Sequence, residues 1–157
     1  MDWKLELVLV PVSDVDRAKA FYTERAGFHL DVDHRAGDDF RVVQMTPPGS
    51  ACSISFGIGI TETAPGSACS IAVGIGITKA APGSAQGLHL VVPDIEAARA
   101  ELADRGVEVT DVQHFEASGM VPGPDPEGRD YGSYVFFSDP DGNSWAVQQV
   151  SRSEPGA

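Results

Sequence analysis

The sequence has little positive charge. Its 157 residues include 11 Lys and Arg against 23 Asp and Glu, which gives a formal net charge of −12 and an isoelectric point near 4.5. The basic residues form no run along the chain. Because a surface of this sign repels phosphate groups, neither nucleic acid nor an anionic membrane is expected as a partner.

Cysteine is also scarce. The two cysteines, Cys52 and Cys69, occupy equivalent places in a duplicated segment, so their number reflects the duplication and not a disulfide framework. A chain of this length buries a sizeable core without cross-links. We expect both side chains to pack as small apolar groups.

Long apolar runs are absent near the N-terminus, which reads MDWKLELVLVPVSD. The apolar run Leu7 to Val12 is short, and charge returns at Asp14. Such a segment is too short for a membrane span and lacks the features of a signal peptide. We therefore expect a cytoplasmic protein.

The most unusual feature is a segment written twice, as PGSACSISFGIGITETA and then PGSACSIAVGIGITKAA. Residues 48–64 and 65–81 are identical at 13 of 17 positions, because four positions differ (17 − 4 = 13). Apolar residues alternate with small ones in both copies, which is typical of a strand. A solenoid would need several stacked repeats, so we interpret the duplication as one strand and its turn, copied once. The differing pairs are Ser55/Ala72, Phe56/Val73, Glu62/Lys79 and Thr63/Ala80.

The spare copy has three open outcomes: it loops out, it adds a strand at a sheet edge, or it pairs with another molecule through an exposed edge. We expect an added or exchanged strand, because each exposed Ile forgoes on the order of 1.5–3 kcal/mol of burial. The competing interpretation is an engineered or selected duplication whose interest is structural.

Two other segments follow one plan, DVDRAKAFYTERAG from Asp14 and DIEAARAELADRG from Asp94. In each, an Asp stands at the N-cap, apolar residues recur at helical spacing, and a Gly lies at the end, which predicts a helix. A strand is predicted before each helix and another directly after it. These strands are Leu5 to Val10 and Phe28 to His34 in the first half, and Leu88 to Val92 and Val107 to Phe115 in the second.

Further strands complete each half as a βαβββ module. The distance from Asp14 to Asp94 is 80 residues, and that from Asp94 to the C-terminus is 63, so the first half is longer by one duplicated unit (80 − 17 = 63). The sequence thus predicts an α+β fold of two βαβββ modules with one extra strand-sized segment. The remaining strands are predicted at Phe40 to Thr46, the GSACSI unit, Gly132 to Phe137 and Ser144 to Val150.

These modules, the phrases LVLVPVSDVDRAKAFYTERAGF and GLHLVVPDIEAARAELADRGV, and the closing SDPDGNSWAVQQV resemble the vicinal oxygen chelate superfamily of glyoxalases, extradiol dioxygenases and bleomycin-resistance proteins. The resemblance implies a curled, barrel-like mixed sheet around a cavity with the helices outside, and often a homodimer. It also implies a single domain over residues 1–157, with module one at 1–85, module two at 86–151 and a tail at 152–157.

The resemblance implies four inward-pointing positions that hold a divalent metal in the family's enzymes. Counting along the family pattern places Leu7, Gly87 and Ala146 at three of them, and the fourth strand of module one contains no Asp, Glu or His. A catalytic divalent metal needs about three N or O protein ligands. We therefore expect no metal, no other cofactor, and no metal-dependent glyoxalase or dioxygenase activity.

The expected cavity lining is mostly apolar with a few polar groups, a composition that suits an organic ligand. His89 is two residues past Gly87, and Gln148 is two past Ala146, so strand alternation places both on the cavity side. Met120 and Tyr131 lie in a long segment, residues 115–134, that is interpreted as a binding loop. The complete set of expected ligand-binding residues is Leu7, Leu9, Gln44, His89, Met120, Tyr131 and Gln148.

Other polar residues receive structural interpretations. We expect His34 and His114 to lie on the surface. Arg129 and Asp130 are candidates for contacting polar groups of a ligand. Asp139-Pro140-Asp141-Gly142 fits a type I turn, so its aspartates are interpreted as turn formers.

Three functional hypotheses remain open. The first is a metal-independent protein that binds or sequesters a small organic molecule, as the family's resistance proteins do. The second is a metal-free lyase, isomerase or cyclase with His89 as general acid or base. The third is a strand-duplication variant, with a homodimer exchanged through residues 48–81.

Overall fold

The computed structural model describes residues 1–58 and 80–151. They form two compact units: unit one comprises Met1–Ala85 with Asp139–Asn143, and unit two comprises Gln86–Ser138 with the chain from Ser144 onward. Within the described residues, each unit has one mixed sheet and one short α-helix, which confirms the predicted α+β class. The single domain over residues 1–157 stays a prediction.

Unit one contains a four-stranded sheet in the order β1-β4-β3-β2. Strand β1 runs parallel to β4, and the other neighbours are antiparallel. Its elements are β1 (Leu7–Leu9), α1 (Val15–Ala20), a π-helical turn (Phe21–Arg25), β2 (His29–Arg35), β3 (Arg41–Thr46) and β4 (Ser53–Ile58).

Helix α1 begins where the sequence predicts. The Asp14 side chain accepts a hydrogen bond from the Arg17 backbone N–H at 3.0 Å, as an N-cap does. The helix then widens into the π-helical turn, in which the Ala26 N–H donates to the Phe21 carbonyl oxygen. A π-helical turn inserts one residue into the helical repeat. Phe21 and its neighbour Tyr22 are both buried there.

Tyr22 is the centre of the core of unit one. Its ring is fully buried, with the rings of Phe28 and Phe56 centred 5.4 Å and 5.7 Å away. Its hydroxyl donates to Asp139 Oδ2 at 2.8 Å, so the polar end of a buried aromatic side chain is satisfied.

The turn Asp139–Asn143 is fixed to unit one through Asn143, which is fully buried. Asn143 Nδ2 donates to the Pro11 carbonyl oxygen at 2.9 Å, and Asn143 Oδ1 accepts from the Ala85 N–H at 3.0 Å. Asp139 Oδ1 accepts from the backbone N–H groups of Asp141 and Asn143, so Asp139 forms the turn as predicted.

The PGSA sequences that begin at Pro48 and at Pro82 both form turns, with Pro in the second position and Gly in the third. Gly49 and Gly83 have φ of +75° and +77°, as a type II turn requires of its third residue. A Cβ atom at Gly83 would collide with the Asp141 carbonyl oxygen. Glycine is therefore required at position 83 for both conformation and space.

The first copy of the duplicated segment supplies β4. Its Ser55 Oγ donates to the Val43 carbonyl oxygen at 2.9 Å, and its Phe56 side chain is fully buried beside Tyr22. Residues 59–79 contain most of the second copy, so the expected added or exchanged strand lies outside the described residues.

The second copy would be a poorer β4, because the two copies differ at both of these buried positions. Ala72 would replace Ser55 and lose a hydrogen bond worth about 1 kcal/mol. Val73 would replace Phe56; a buried Phe→Ala change costs about 3–5 kcal/mol, and Val keeps part of that packing. The contacts of β4 therefore favour the first copy.

Two deletion variants test this preference. Removal of residues 65–81 or of residues 48–64 leaves 140 residues (157 − 17 = 140), with one copy in each case. We expect the variant that keeps Ser55 and Phe56 to have a free energy of unfolding about 2–4 kcal/mol higher, measured in urea. Introducing Ser55→Ala and Phe56→Val into it should remove most of the difference. Equal stability of the two deletion variants would contradict the preference.

Unit two contains a five-stranded sheet in the order β5-β9-β8-β6-β7. Strand β5 runs parallel to β9, and the other neighbours are antiparallel. Its elements are β5 (Leu88–Val92), α2 (Ile95–Asp104), β6 (Gln113–Glu116), β7 (Gly119–Pro122), β8 (Ser133–Ser138) and β9 (Ser144–Gln149).

Helix α2 packs on one face of this sheet, against β8 and β9. Asp94 caps it by accepting from the Ala97 N–H at 2.9 Å, as its sequence predicts. The buried sheet residues include Trp145, whose ring stacks on Phe137 with centroids 6.0 Å apart. Among the described residues, no helix is long and apolar enough to cross a membrane.

Two details of unit two differ from the prediction. The strand expected from Val107 to Phe115 is interrupted: Val109 forms only an isolated bridge with Phe137, and β6 begins at Gln113. The expected loop over residues 115–134 contains β7, which pairs with β6 through a two-residue hairpin loop. Gly119 follows that loop with φ of +116°, a conformation that glycine adopts readily.

Candidate functional site

The face of the unit-two sheet that does not carry α2 brings several predicted site residues together. Side chains of paired residues in neighbouring strands point to the same face. The register joins His89 to Ala146 and Phe136, and Val91 to Gln148 and Tyr134. We call this surface the open face; it comprises His89, Val91, Gln113, Phe115, Met120, Tyr134, Phe136, Ala146 and Gln148.

A polar pair lies on the open face. His89 Nδ1 is 2.8 Å from Gln148 Oε1, which is hydrogen-bonding distance. His89 is exposed and Gln148 is half-buried. The structure thus joins the two polar residues that strand alternation selected from the sequence.

Aromatic and aliphatic side chains share the open face with the pair. The rings of Tyr134 and Phe136 are stacked, with centroids 6.0 Å apart and planes inclined by 3°. Val91 and Phe115 are 60% and 64% exposed, which is high for apolar side chains. A flat molecule could therefore stack on aromatic surface while it reaches a hydrogen-bonding pair.

Phe115 and Phe136 were missing from the expected site. In β8, Phe136 stands between the buried residues Val135 and Phe137, so periodicity alone could have assigned it to the face that carries His89. No such signal existed for Phe115, because its strand was predicted to begin six residues earlier.

Met120 and Tyr131 lie in different surroundings. Met120 pairs with Phe115 in β7 and is half-buried on the open face. Tyr131 follows β7 in the connection to β8 and is 43% exposed. Its φ of +62° is unusual for a bulky residue. Its backbone N–H donates to the Gln149 carbonyl oxygen at 2.7 Å, which ties this connection to β9.

Leu7, Leu9 and Gln44 belong to the sheet of unit one. The register pairs Leu9 and Gln44 with the same residue, Ser55, so the three side chains lie on one face of that sheet. All three are half-buried, and Gln44 Nε2 donates to Ser53 Oγ at 3.3 Å. This register defines the facing of Gln44, which the sequence left open.

The residues at the family's metal positions do not fit a metal ion. Leu7, Gly87 and Ala146 carry no side-chain ligand atom. Within residues 1–58 and 80–151, no group of three or more His, Cys, Asp or Glu side chains is arranged to hold one.

His114 is buried, so its expected surface position is wrong. Its Nδ1 lies 2.9 Å from the Gly123 carbonyl oxygen, and its Nε2 lies 3.3 Å from Glu116 Oε1. Both partners accept, so only the protonated ring can donate to both. The Gly123 carbonyl, assisted by Glu116, raises the pKa of His114 above its usual value.

Asp125 is the second buried titratable side chain of this region. Arg129 Nη2 and Nε contact its two carboxylate oxygens at 2.7 Å and 3.1 Å, and the Arg129 backbone N–H adds a bond at 2.8 Å. These bonds lower the pKa of Asp125 to about 2. Arg129, which was a candidate for contacting a ligand, therefore holds the β7–β8 connection.

A pH dependence of stability follows from His114. Because its pKa is raised in the folded state, its stabilising contribution is complete below the ordinary value of 6.5 and is lost as the pH rises through the folded value. We expect the unfolding free energy of the wild type, measured in urea between about pH 6 and about pH 9, to fall more than that of His114→Gln.

The exposed histidine of β2 provides the control. His34→Gln should keep the pH profile of the wild type, because His34 is exposed in unit one. If the profiles of the wild type and His114→Gln ran parallel, His114 would not carry the charge that its two acceptors require. Asp125 contributes at acid pH. Because its pKa is lowered in the folded state, its stabilising contribution is lost as the pH falls from 3.8 to about 2.

Two mixed sheets, each with a capped helix and a similar strand order, define the protein class. The family model of the Glyoxalase/Bleomycin resistance protein/Dioxygenase superfamily matches residues 4–147, and the chain belongs to this superfamily. The resemblance seen in the sequence is thereby confirmed.

Individual relatives are similar over nearly the whole chain. TnmS3, an antibiotic-binding protein from Streptomyces sp. CB03234, is 32% identical with a TM-score of 0.65, over 96% of this chain and 98% of its own. A glyoxalase/bleomycin resistance protein from the same organism is 33% identical with a TM-score of 0.62, over 93% and 100%. A superfamily member from Sphaerobacter thermophilus DSM 20745 shares the fold at 21% identity and a TM-score of 0.63, over 95% and 98%. A search of curated proteins found no match.

Proposed function

We propose that this chain is a metal-independent protein that binds and sequesters a small, planar organic molecule, with the open face as one wall of its ligand site. The observation that carries the proposal is the combination on one sheet face of the stacked rings of Tyr134 and Phe136 with the hydrogen-bonded pair His89 and Gln148. Leu7, Leu9, Gln44, Met120 and Tyr131 are proposed as further ligand-binding residues.

Burial supplies the larger part of the proposed affinity. Removal of roughly 150 Å² of apolar surface from water is worth about 4 kcal/mol at about 25 cal/mol per Å². An aromatic pair in favourable geometry adds about 0.5–1.5 kcal/mol. The polar pair sets the orientation, because a ligand that leaves a buried hydrogen-bonding group unpaired forfeits about 1–3 kcal/mol.

Similarity to an antibiotic-binding protein supports this proposal. TnmS3 is described as antibiotic-binding, and the likeness extends over 96% of this chain at 32% identity. The second relative, at 33% identity, is described as a glyoxalase/bleomycin resistance protein. We extend the binding of an organic molecule to this chain on these grounds and on the composition of the open face.

Ligand binding by the open face is tested by thermal shift against a panel of planar aromatic compounds, followed by calorimetric titration. We expect at least one saturable rise in Tm, and a roughly 5- to 50-fold weaker Kd for Phe136→Ala and for Gln148→Ala. His34→Ala, an exposed change in unit one, is the matched control and should leave Kd unchanged. Flat melting across a broad panel would overturn sequestration.

A metal-free lyase, isomerase or cyclase is the second candidate function. The observation that favours it is an exposed imidazole whose Nδ1 is held by Gln148, so that Nε2 is presented for proton transfer. His89→Ala should then abolish turnover of a bound compound without changing the unfolding free energy. Binding with no conversion of any bound compound would leave sequestration as the function.

We also propose a cytoplasmic homodimer, with residues 48–81 as the segment through which strands exchange. The alternation of Ile with small residues in both copies supports exchange, because either copy has the pattern of β4. Light scattering of the full chain and of the variant lacking residues 65–81 separates the cases. Exchange through the second copy requires that the two proteins differ in oligomeric state.

A further inference from the structure

We propose that His89 and Gln148 form a self-adjusting donor–acceptor pair, so that the site accepts a planar ligand with a hydrogen-bond donor as readily as one of the same shape with an acceptor. This inference rests on the proposed function and names the ligand class: neutral, planar ring systems that carry an N–H, O–H or C=O group at their edge. The pair replaces a fixed polar contact with one that can change direction.

The bond between the two side chains can be made in two ways. A neutral imidazole has one donor and one acceptor nitrogen, and an amide has a donor NH₂ and an acceptor oxygen. In one arrangement, His89 Nδ1–H donates to Gln148 Oε1, which leaves His89 Nε2 as an acceptor and the Gln148 NH₂ as a donor. After a half-turn of the amide, Gln148 Nε2–H donates to His89 Nδ1, and the outward groups exchange their roles.

Neither arrangement breaks the internal bond. The observed contact is 2.8 Å long. The flipped amide can make a bond at the same place, because its oxygen and nitrogen exchange nearly equivalent positions in a half-turn. The pair always presents one donor and one acceptor toward the open face, and only their places change. Reorganisation therefore requires a proton shift on one ring and rotation about one bond.

No other described residue fixes the direction of the pair. Within residues 1–58 and 80–151, the His89 and Gln148 side chains hydrogen-bond only to each other. The other residues of the open face carry no Asp, Glu, Lys or Arg, so no neighbouring formal charge on that face favours either arrangement. His89 is exposed, and solvent can serve its outward nitrogen in either form.

Comparable side chains elsewhere in the protein are fixed in direction. Gln149 Oε1 accepts from the Ile95 backbone N–H at 3.4 Å, and a backbone N–H can only donate. His114 lies between two acceptors, a setting that requires both of its nitrogens to donate. The His89–Gln148 pair differs because each member is the other's partner and each can donate or accept.

A reversible pair changes the selectivity of the site. A pair fixed in one direction offers a donor at one place and an acceptor at the other. A ligand whose polar group meets the wrong place then binds roughly 5- to 100-fold more weakly, because that group is buried unpaired. A pair that reverses incurs no such penalty. It therefore selects ligands by the shape and flatness of their rings and tolerates either kind of polar group.

Three tricyclic probes of the same shape test the inference by calorimetric titration. Carbazole offers an N–H donor, 9-fluorenone offers a C=O acceptor at the equivalent position, and fluorene offers neither. For the wild type, we expect the Kd values of carbazole and 9-fluorenone to agree within about threefold, and fluorene to bind at least about fivefold more weakly.

Reciprocal variants of Gln148 remove one direction each. Gln148→Glu supplies only acceptors, so with a neutral His89 ring it should favour carbazole over 9-fluorenone by about tenfold or more. Gln148→Lys supplies only donors and should reverse this preference by a similar factor. Circular dichroism and thermal melting check that both variants fold, and His34→Ala is the control outside the open face.

The ¹⁵N shifts of the His89 ring give a readout that does not require a ligand. At a pH where those shifts show a neutral ring, we expect the wild type to lie between Gln148→Glu, with hydrogen on Nδ1, and Gln148→Lys, with hydrogen on Nε2. Addition of carbazole and of 9-fluorenone should move the wild-type shifts in different directions. His89→Ala assigns the signals.

The outcomes separate this inference from the proposed function. A wild-type preference of more than about tenfold for one probe, or ¹⁵N shifts that match one Gln148 variant, would show a fixed pair and overturn the inference while leaving binding intact. If no tricycle bound but the free protein showed both tautomers, the reversible pair would stand and the planar-ligand function would fail.

Discussion

The strand period of two is the constraint on which the rest of the site depends. In β8, Val135 and Phe137 are buried on the side of α2, so Tyr134 and Phe136 must point the other way. In β9, burial of Trp145 and Val147 assigns Gln148 to that same opposite face. Stability on the helix side thus determines which residues remain for recognition, and a register shift of one residue would exchange the two sets.

Unit one shows a different use of burial. Tyr22, Asp139 and Asn143 satisfy one another's polar groups inside the core, and they fix both the turn Asp139–Asn143 and the chain near Pro11. Buried polar groups that are fully bonded specify one arrangement, because any alternative leaves some of them unpaired. The duplicated segment adds a second sequence with the pattern of β4, but Ser55 and Phe56 give the first copy the better contacts at this place.

Local sequence patterns predicted the features that depend on interactions between residues close together in the chain or in neighbouring strands. The N-caps Asp14 and Asp94, the turn at Asp139, and the alternation that joined His89 to Gln148 all rest on residues near one another in the chain or paired in a simple register. The burial of His114 and the break of the strand after Val107 depend on Gly123 and Phe137, which the sequence alone could not bring to them. The superfamily was predicted from motifs spread along the chain, whereas the class of ligand is inferred from the side chains of the proposed site.

Chemical-shift mapping of the ¹³C-methyl groups during titration with 9-fluorenone tests directly whether the ligand binds on the open face. We expect the methyl groups of Val91 and Met120, on the open face, to shift and saturate together, while those of Leu90 and Val147, on the helix side, remain nearly unchanged. Saturable shifts at Leu90 and Val147 with none at Val91 and Met120 would contradict it.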